Sequence, residues 1–185
     1  MKSVLISIQP KWCELIANGK KTVEVRKSKP KIETPFKVYI YATKQRERLN
    51  FHIKGSLYVS KPITGKVIGE FVCDAIIRNC EMANADIAEQ QGCIKREKLL
   101  KYAGDKEIYG WHISDLVIYD KPKELSEFRT LCKYRNNDGS CQYTKVECDC
   151  VKFDYNTDYS VNFAECCDFM IRPPQSWCYV EKLGC

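Results

Sequence analysis

Between Val4 and Arg26 the hydrophobic period of the chain changes twice. Val4, Ile6 and Ile8 alternate with Leu5 and Ser7, the period of a strand. Gln9-Pro10 then opens a short helix. Proline suits the first helical turn, where its missing N–H has no partner to lose, and Trp12, Leu15 and Ile16 fall on one face at i, i+3 and i+4. Asn18-Gly19 ends that helix, with Gly19 as its left-handed cap. From Thr22 to Arg26 the period returns to two. A strand, a short helix and a strand packed this tightly require a mixed fold.

The rest of the chain adds strands. "FKVYIYA", Phe36 to Ala42, is rich in β-branched and aromatic residues. "GKVIGEFVCDAIIR", 65–78, reads as one long strand, with Gly65 and Gly69 marking bulges. "GWHISDLVIYD", 110–120, and "SWCYVEKL", 176–183, are further strands. Residues 84–103 read as two short helices parted at Gly92, the second capped by Gly104. Residues 44–60 read as an irregular basic insertion. Pro122, Leu125 and Phe128 pack a turn onto the core. The expected class is α+β: a small mixed β-barrel flanked by short helices.

The chain has 185 residues, 44% of them hydrophobic, enough for one domain with a real core. Its formal charge of +6 permits contact with nucleic acid without requiring it. There is no apolar run long enough to span a membrane, and the N-terminus lacks the pattern of a signal peptide. A cytoplasmic location is expected. No Gly-rich phosphate loop, Ser-His-Asp arrangement or HExxH motif is present, so nucleotide hydrolysis and serine or metalloprotease chemistry are unsupported.

The chemistry-bearing segment is "NGKKTVEVRKSKP", 18–30, where Lys20, Lys21, Arg26, Lys27 and Lys29 surround Glu24. Residues two apart share a strand face, so Glu24 and Arg26 sit side by side and Val23 and Val25 face the other way. Lys21 joins them from the preceding turn. A carboxylate beside a guanidinium and an ammonium stays ionised. It can accept from a base or a ribose, while Arg26 and Lys21 bind phosphate or a developing oxyanion. The plain alternative is a solvated strand with surface ion pairs worth about 0–1 kcal/mol.

A second constellation is "RPPQSW". Its prolines fix an extended entry to the last strand. Arg172, Gln175 and Ser176 offer polar groups, and Trp177 or Tyr179 a stacking ring. Gln9 and Thr43, at strand ends, are further candidates for the same cleft. Trp12 is expected in the core with Leu15 and Ile16. His112 reads as a structural strand histidine.

The twelve cysteines are unevenly spread. Cys13, Cys73, Cys80 and Cys93 are scattered, and the remainder crowd between Cys132 and Cys185. Without an export signal, thiols that stay reduced or bind metal are expected. The segment 130–169 is polar and poor in periodicity. Thiolates are strong zinc ligands, and such a segment lacks a core of its own. A structural zinc held by Cys132 and Cys141, one of Cys148 and Cys150, and one of Cys166 and Cys167 is expected. Free thiols, disulfides or an iron–sulfur cluster are the alternatives, since no pair of these cysteines is separated by two residues.

The pattern Gly19-x-Lys21-x-x-Glu24-x-Arg26 after a short helix resembles the signature of the ASCH domain family, within the PUA-like superfamily, in its phage or bacterial type. "ISIQPKWCELIANGKKTVEVRK", "VYIYATK" and "GKVIGEFVCD" are similar to its successive elements, and "RPPQSWCYVEKL" to its closing strand. The resemblance covers roughly residues 3–128 and 170–183. It implies a single PUA-like domain over 1–185, interrupted by the Cys-rich insertion. It implies a β-barrel with a cleft lined by the motif, binding RNA or a modified nucleoside. Lys21 and Glu24 would be the catalytic pair if the chain is a hydrolase of acylated cytidine or of RNA, as an amidohydrolase or ribonuclease. Hydrolase-type members resemble GxKTxTxR, with a hydroxyl where Glu24 stands. Glu24 suits the general family pattern, in which it is an acid/base or a base-edge acceptor.

Overall fold

The computed structural model describes residues 2–45, 49–51, 59–61, 64–78, 86–130, 170 and 172–181. Strand β1 (Lys2–Ile8) and helix α1 (Pro10–Ala17) come first, followed by β2 (Val23–Arg26) and β3 (Phe36–Ala42). Then come β4 (Leu49–Phe51), β5 (Val59–Lys61), β6 (Lys66–Cys73) and β7 (Ile76–Ile77). A π-helical turn (Asp86–Gln91) precedes α2 (Arg96–Ala103), which leads to β8 (Tyr109–His112) and β9 (Ser114–Lys123). A 3-10 turn (Leu125–Glu127) and β10 (Trp177–Glu181) complete the described elements.

The main sheet has the order β10-β1-β3-β6-β9. Strands β1 and β3 run parallel, joined through α1 and β2, and the other pairings are antiparallel. As an interior strand of the sheet, β1 is buried on both faces. Val4, Ile6 and Ile8 face α1, with Cys13, Ile16 and Trp111. Leu5 faces a second cluster with Tyr39, Val67, Leu125, Phe128 and Met170. The turn carrying Leu125 and Phe128 thus covers that second face, as the apolar spacing predicts.

Strand β2 belongs to a separate sheet of order β2-β8-β7, and β4 and β5 form a two-stranded ladder. Among the described residues these three sheets do not close into one barrel. The architecture shown is a sheet-dominated α+β fold with few helices, and closure of the expected barrel is not seen.

Several element boundaries differ from the sequence reading. Segment 65–78 is two strands in different sheets, β6 in the main one and β7 beside β8. Segment 110–120 likewise divides at Ile113, a buried core residue between β8 and β9. The expected irregular insertion 44–60 contains β4 and most of β5. The register slips between Val67 and Gly69, which supports a bulge at Gly69, whereas Gly65, at φ +86°, is a turn residue. Residues 130–169 lie outside the described residues except Thr130, so Cys132, Cys141, Cys148, Cys150 and Cys166 have no structural account.

Candidate functional site

The turn after α1 is held by main-chain bonds. Gly19, at φ +69°, donates to Ile16 O at 2.9 Å, and Lys20 and Lys21 both donate to Leu15 O, at 2.9 and 3.0 Å. Thr22 N then reaches Gln91 O at 2.9 Å, and Thr22 O accepts from Ile113 N at 2.8 Å. Lys21 is thereby wedged between α1 and the end of the π-helical turn. Its side chain is buried, not solvated.

The two faces of β2 separate as the alternation predicts. Val23 and Val25 pack under Ala88, Leu99, Ala103 and Ile108, so the π-helical turn and α2 cover that face. Glu24 and Arg26 occupy the opposite face, and Glu24 lies directly across the ladder from Trp111. This face is covered too: Lys21, Glu24 and Arg26 are 2%, 5% and 9% exposed. Three charged residues of a segment that reads as a wet charge run are therefore buried inside the domain, while Lys20, Lys27 and Lys29 stay exposed.

Glu24 bridges the two cations. Arg26 Nη2 is 2.9 Å from its Oε1, and Lys21 Nζ is 3.5 Å from its Oε2. Each cation also has a main-chain anchor: Arg26 Nη2 donates to Ser7 O at 2.7 Å and Lys21 Nζ to Gly92 O at 2.6 Å. Arg26 Nη1 reaches Ser176 Oγ at 3.5 Å. Burial holds the Lys21 ammonium below the usual lysine range, while the charge of Glu24 pulls it back up. Among the described residues, the buried Arg26 Nε–H has no acceptor, and neither has the buried indole N–H of Trp111. Two buried donors without acceptors, beside two cations that share one carboxylate, make this face receptive to an oxygen-bearing or anionic group.

Ser7 organises the surroundings. Its hydroxyl donates to Pro174 O at 2.6 Å and its N–H to Ser176 O at 2.9 Å. The "RPPQSW" segment is thus laid against β1, and of that segment it is Ser176 that touches the triad. Arg172, Gln175 and Gln9 are exposed, and none of the described hydrogen bonds or ion pairs joins them to it. Gln9 is the N-cap residue of α1, without a side-chain cap. Thr43 N donates to Ile8 O at 2.9 Å, which sets Thr43 beside Gln9, and among the described residues its buried Oγ1 has no partner. Trp177 is half-buried, 5.9 Å from Trp111 and 5.5 Å from Tyr179 between ring centroids. Its packing and its stacking roles are both compatible with that position.

Trp12 corrects the sequence reading. It packs against the core yet stays partly exposed, with Lys11 Nζ 4.8 Å and Lys21 Nζ 5.1 Å from its ring centroid. It lies at the margin of the core, because Cys13 and Ile16 take the buried face of α1. His112 is paired with Asp74 at 2.6 Å. It is opposite Val23 in the ladder, on the face of β2 away from Glu24.

The residues missed by sequence reasoning act mainly through their backbone. Ser7 and Gly92 contribute carbonyls, and only the helix break at Gly92 gave a hint. Trp111 depends on an unseen register. Tyr102, on α2, is raised above the usual tyrosine range by burial, with Arg26 opposing and Glu24 reinforcing, so its hydroxyl lies within the field of the triad. Among the described residues, Cys13, Cys73, Cys93 and Cys178 are free thiols. Burial pushes Cys73 up to about 12 and Cys178 up to about 11, so neither is a poised nucleophile. Among the described residues no group of three His, Cys, Asp or Glu side chains could hold a metal, and no helix is long and apolar enough to cross a membrane.

A family model described as the ASCH domain matches residues 6–124. No curated protein gives a significant match. Among solved structures, a tyrosine-to-phenylalanine mutant of the ASCH protein from Zymomonas mobilis aligns with a TM-score of 0.50 at 20% identity, covering 68% of this chain and 77% of that one. The ASCH structure from the same organism gives 0.48 at 21% identity, over 66% and 73% of the two chains. Its serine-to-alanine mutant gives 0.49 at 21%, over 66% and 74%. The likeness at 0.50 shows a shared fold. The family model runs from within β1 to just past β9, more than half of the sequence, and the chain belongs to the ASCH domain family.

Proposed function

We propose that the chain binds RNA or a modified nucleoside, with one nucleotide unit held at the face built by Lys21, Glu24 and Arg26. The observation that carries this reading is the buried triad with its spare Arg26 Nε–H. Two cations for one carboxylate leave an excess of buried positive charge, and such a charge is costly unless a counter-anion arrives. A phosphate or a pyrimidine carbonyl supplies the missing acceptor. Glu24 accepts from an exocyclic amine or a ribose hydroxyl, and Trp12 offers a ring to stack on. Gln9, Thr43, Arg172, Gln175, Ser176 and Trp177 form the proposed margin of the site. Membership in the ASCH family is compatible with this reading.

The test is calorimetric titration with acetylcytidine and with a short oligoribonucleotide. Binding of either, weakened at least tenfold in Arg26→Gln, is the expected result. No binding of either by the wild-type protein would overturn it.

A second reading, hydrolysis of an acylated cytidine or of RNA, is favoured by one observation. Burial lowers the Lys21 pKa, which makes a neutral lysine base more accessible. Chromatography of products after incubation with acetylcytidine or RNA tests it. Turnover that survives unchanged in Lys21→Ala counts against Lys21 as the base.

For the Cys-rich insertion we retain the proposal of a structural zinc on Cys132, Cys141, Cys148 or Cys150, and Cys166 or Cys167. Its warrant is thiolate chemistry in a segment without a core.

A further inference from the structure

We propose that lysines and aromatic rings leading outward from Arg26 bind the nucleotides flanking the one at the triad, so that a single-stranded polynucleotide is preferred over a free nucleoside. This rests on the reading that the triad holds a nucleotide unit, and it adds the class of ligand.

Strand β2 leaves the buried face at Arg26, and the chain surfaces at once: Lys27, Ser28 and Lys29 are all exposed. Both lysines stand over aromatic rings. Lys27 Nζ is 4.8 Å from the ring centroid of Tyr102, and Lys29 Nζ is 5.9 Å from that of Tyr109. Tyr109 is the direct ladder partner of Arg26, and Tyr102, 42% exposed, lies on α2 against Lys27, the residue that follows Arg26. Cation and π-face therefore alternate along one path that begins at the triad.

The path is also fixed in place. Trp177 Nε1 donates to Ser28 Oγ at 3.0 Å, and Lys31 N donates to Tyr179 OH at 2.7 Å. These bonds tie the segment after β2 to β10, so its cations are presented by an anchored chain. Lys27 and Lys29 take part in none of the ion pairs among the described residues. Glu107 accepts from the Tyr109 hydroxyl.

Charge complementarity selects the occupant. A free nucleoside has no phosphate and would leave Lys27 and Lys29 unused. A single strand offers both a phosphate for each cation and unstacked bases for the rings. A duplex offers phosphates, but its bases are already stacked.

The experiment is fluorescence anisotropy with a labelled single-stranded ten-nucleotide oligoribonucleotide, its duplex, and cytidine monophosphate as competitor. The wild type is expected to bind the single strand at least tenfold tighter than the monophosphate and tighter than the duplex. Lys27→Ala combined with Lys29→Ala should reduce the slope of log affinity against log salt by about 1.4 and leave monophosphate affinity unchanged. Tyr102→Ala should weaken single-strand binding roughly 5- to 150-fold. Equal affinity for monophosphate and single strand, a salt slope unchanged in the double variant, or equal binding of the duplex would each overturn the strip while leaving the triad reading intact. Wild-type protein that binds none of the probes would overturn both.

Discussion

The guanidinium of Arg26 donates to the main-chain carbonyl of Ser7 at 2.7 Å, across to β1 of the main sheet. This bond joins the strand that carries the motif to the sheet that carries the core. It also sets the angle at which Arg26 meets Glu24. Arg26→Ala would leave Glu24 buried with Lys21 alone at 3.5 Å and leave the Ser7 carbonyl without this donor. The expected loss is about 3–5 kcal/mol, the usual result of removing one partner of a buried pair. Arg26→Lys keeps the charge but not the planar fork, and should cost less, about 1–3 kcal/mol. Urea denaturation of the three proteins measures this. An alanine variant within about 1 kcal/mol of wild type would show that the network is not structural.

Lys21 makes a prediction about pH. Burial lowers its folded-state pKa, while the unfolded chain keeps the ordinary value near 10.4. Between those two values the unfolded state binds more protons, so stability attributable to Lys21 rises with pH. Below the folded pKa the lysine is charged in both states and its contribution is constant. The stability of wild type minus that of Lys21→Met should therefore increase as pH climbs toward 10.4. A difference that stays flat or falls over the alkaline range would mean that Lys21 is not held low.

Local chemistry makes α1 and β2 legible in the sequence. Pro10 and Gly19 mark the ends of a helix through their own backbone preferences, and the period of two divides Val23 and Val25 from Glu24 and Arg26. What the alternation could not decide was whether the second face is wet. That depends on Ser7, Gly92 and Ser176, which are brought in by tertiary contacts and contribute a carbonyl or a hydroxyl of no special type. Trp12 misled because i, i+3, i+4 spacing defines a stripe wider than the buried part of it. The sheet change at Ile113 was hidden because no Gly or Pro stands between Trp111 and Lys121 to mark a break. Arg172 and Gln175 were read from an unusual turn, yet the contact from that turn comes from Ser176.

The cysteine insertion gives a prediction that does not depend on the triad. If four of Cys132, Cys141, Cys148, Cys150, Cys166 and Cys167 hold zinc, purified protein should contain about one equivalent of zinc. Chelation should then lower the thermal midpoint and expose additional thiols to a thiol reagent, because the metal's binding energy is folding energy for such a segment. Less than about half an equivalent, with all twelve cysteines reactive in the untreated denatured protein, would leave the free-thiol alternative standing.

Gly69 tests whether the bulge in β6 is required by space. A Cβ there would lie 2.4 Å from the carbonyl oxygen of Val117 and 3.1 Å from Cδ1 of Ile118. The isoleucine tip can move, but the carbonyl belongs to the backbone of β9 at the slipped register between the two strands. Gly69→Ala should therefore force the strands apart and cost about 1–3 kcal/mol, the range of overpacking a close contact. Gly104, which caps α2 at φ +57°, has nothing within 4 Å of the same added atom. Gly104→Ala should instead carry only the strain of a glycine-type backbone, φ +57° and ψ −131°, about 1–3 kcal/mol. Moving β9 also shifts Ile113 and the end of β8, where Trp111 faces Glu24. Gly69→Ala should consequently weaken ligand binding, whereas Gly104→Ala should not. Urea denaturation and the titration with acetylcytidine or oligoribonucleotide measure both effects. A Gly69→Ala protein as stable as wild type would show that β9 yields freely, and that the glycine is not there for the close approach.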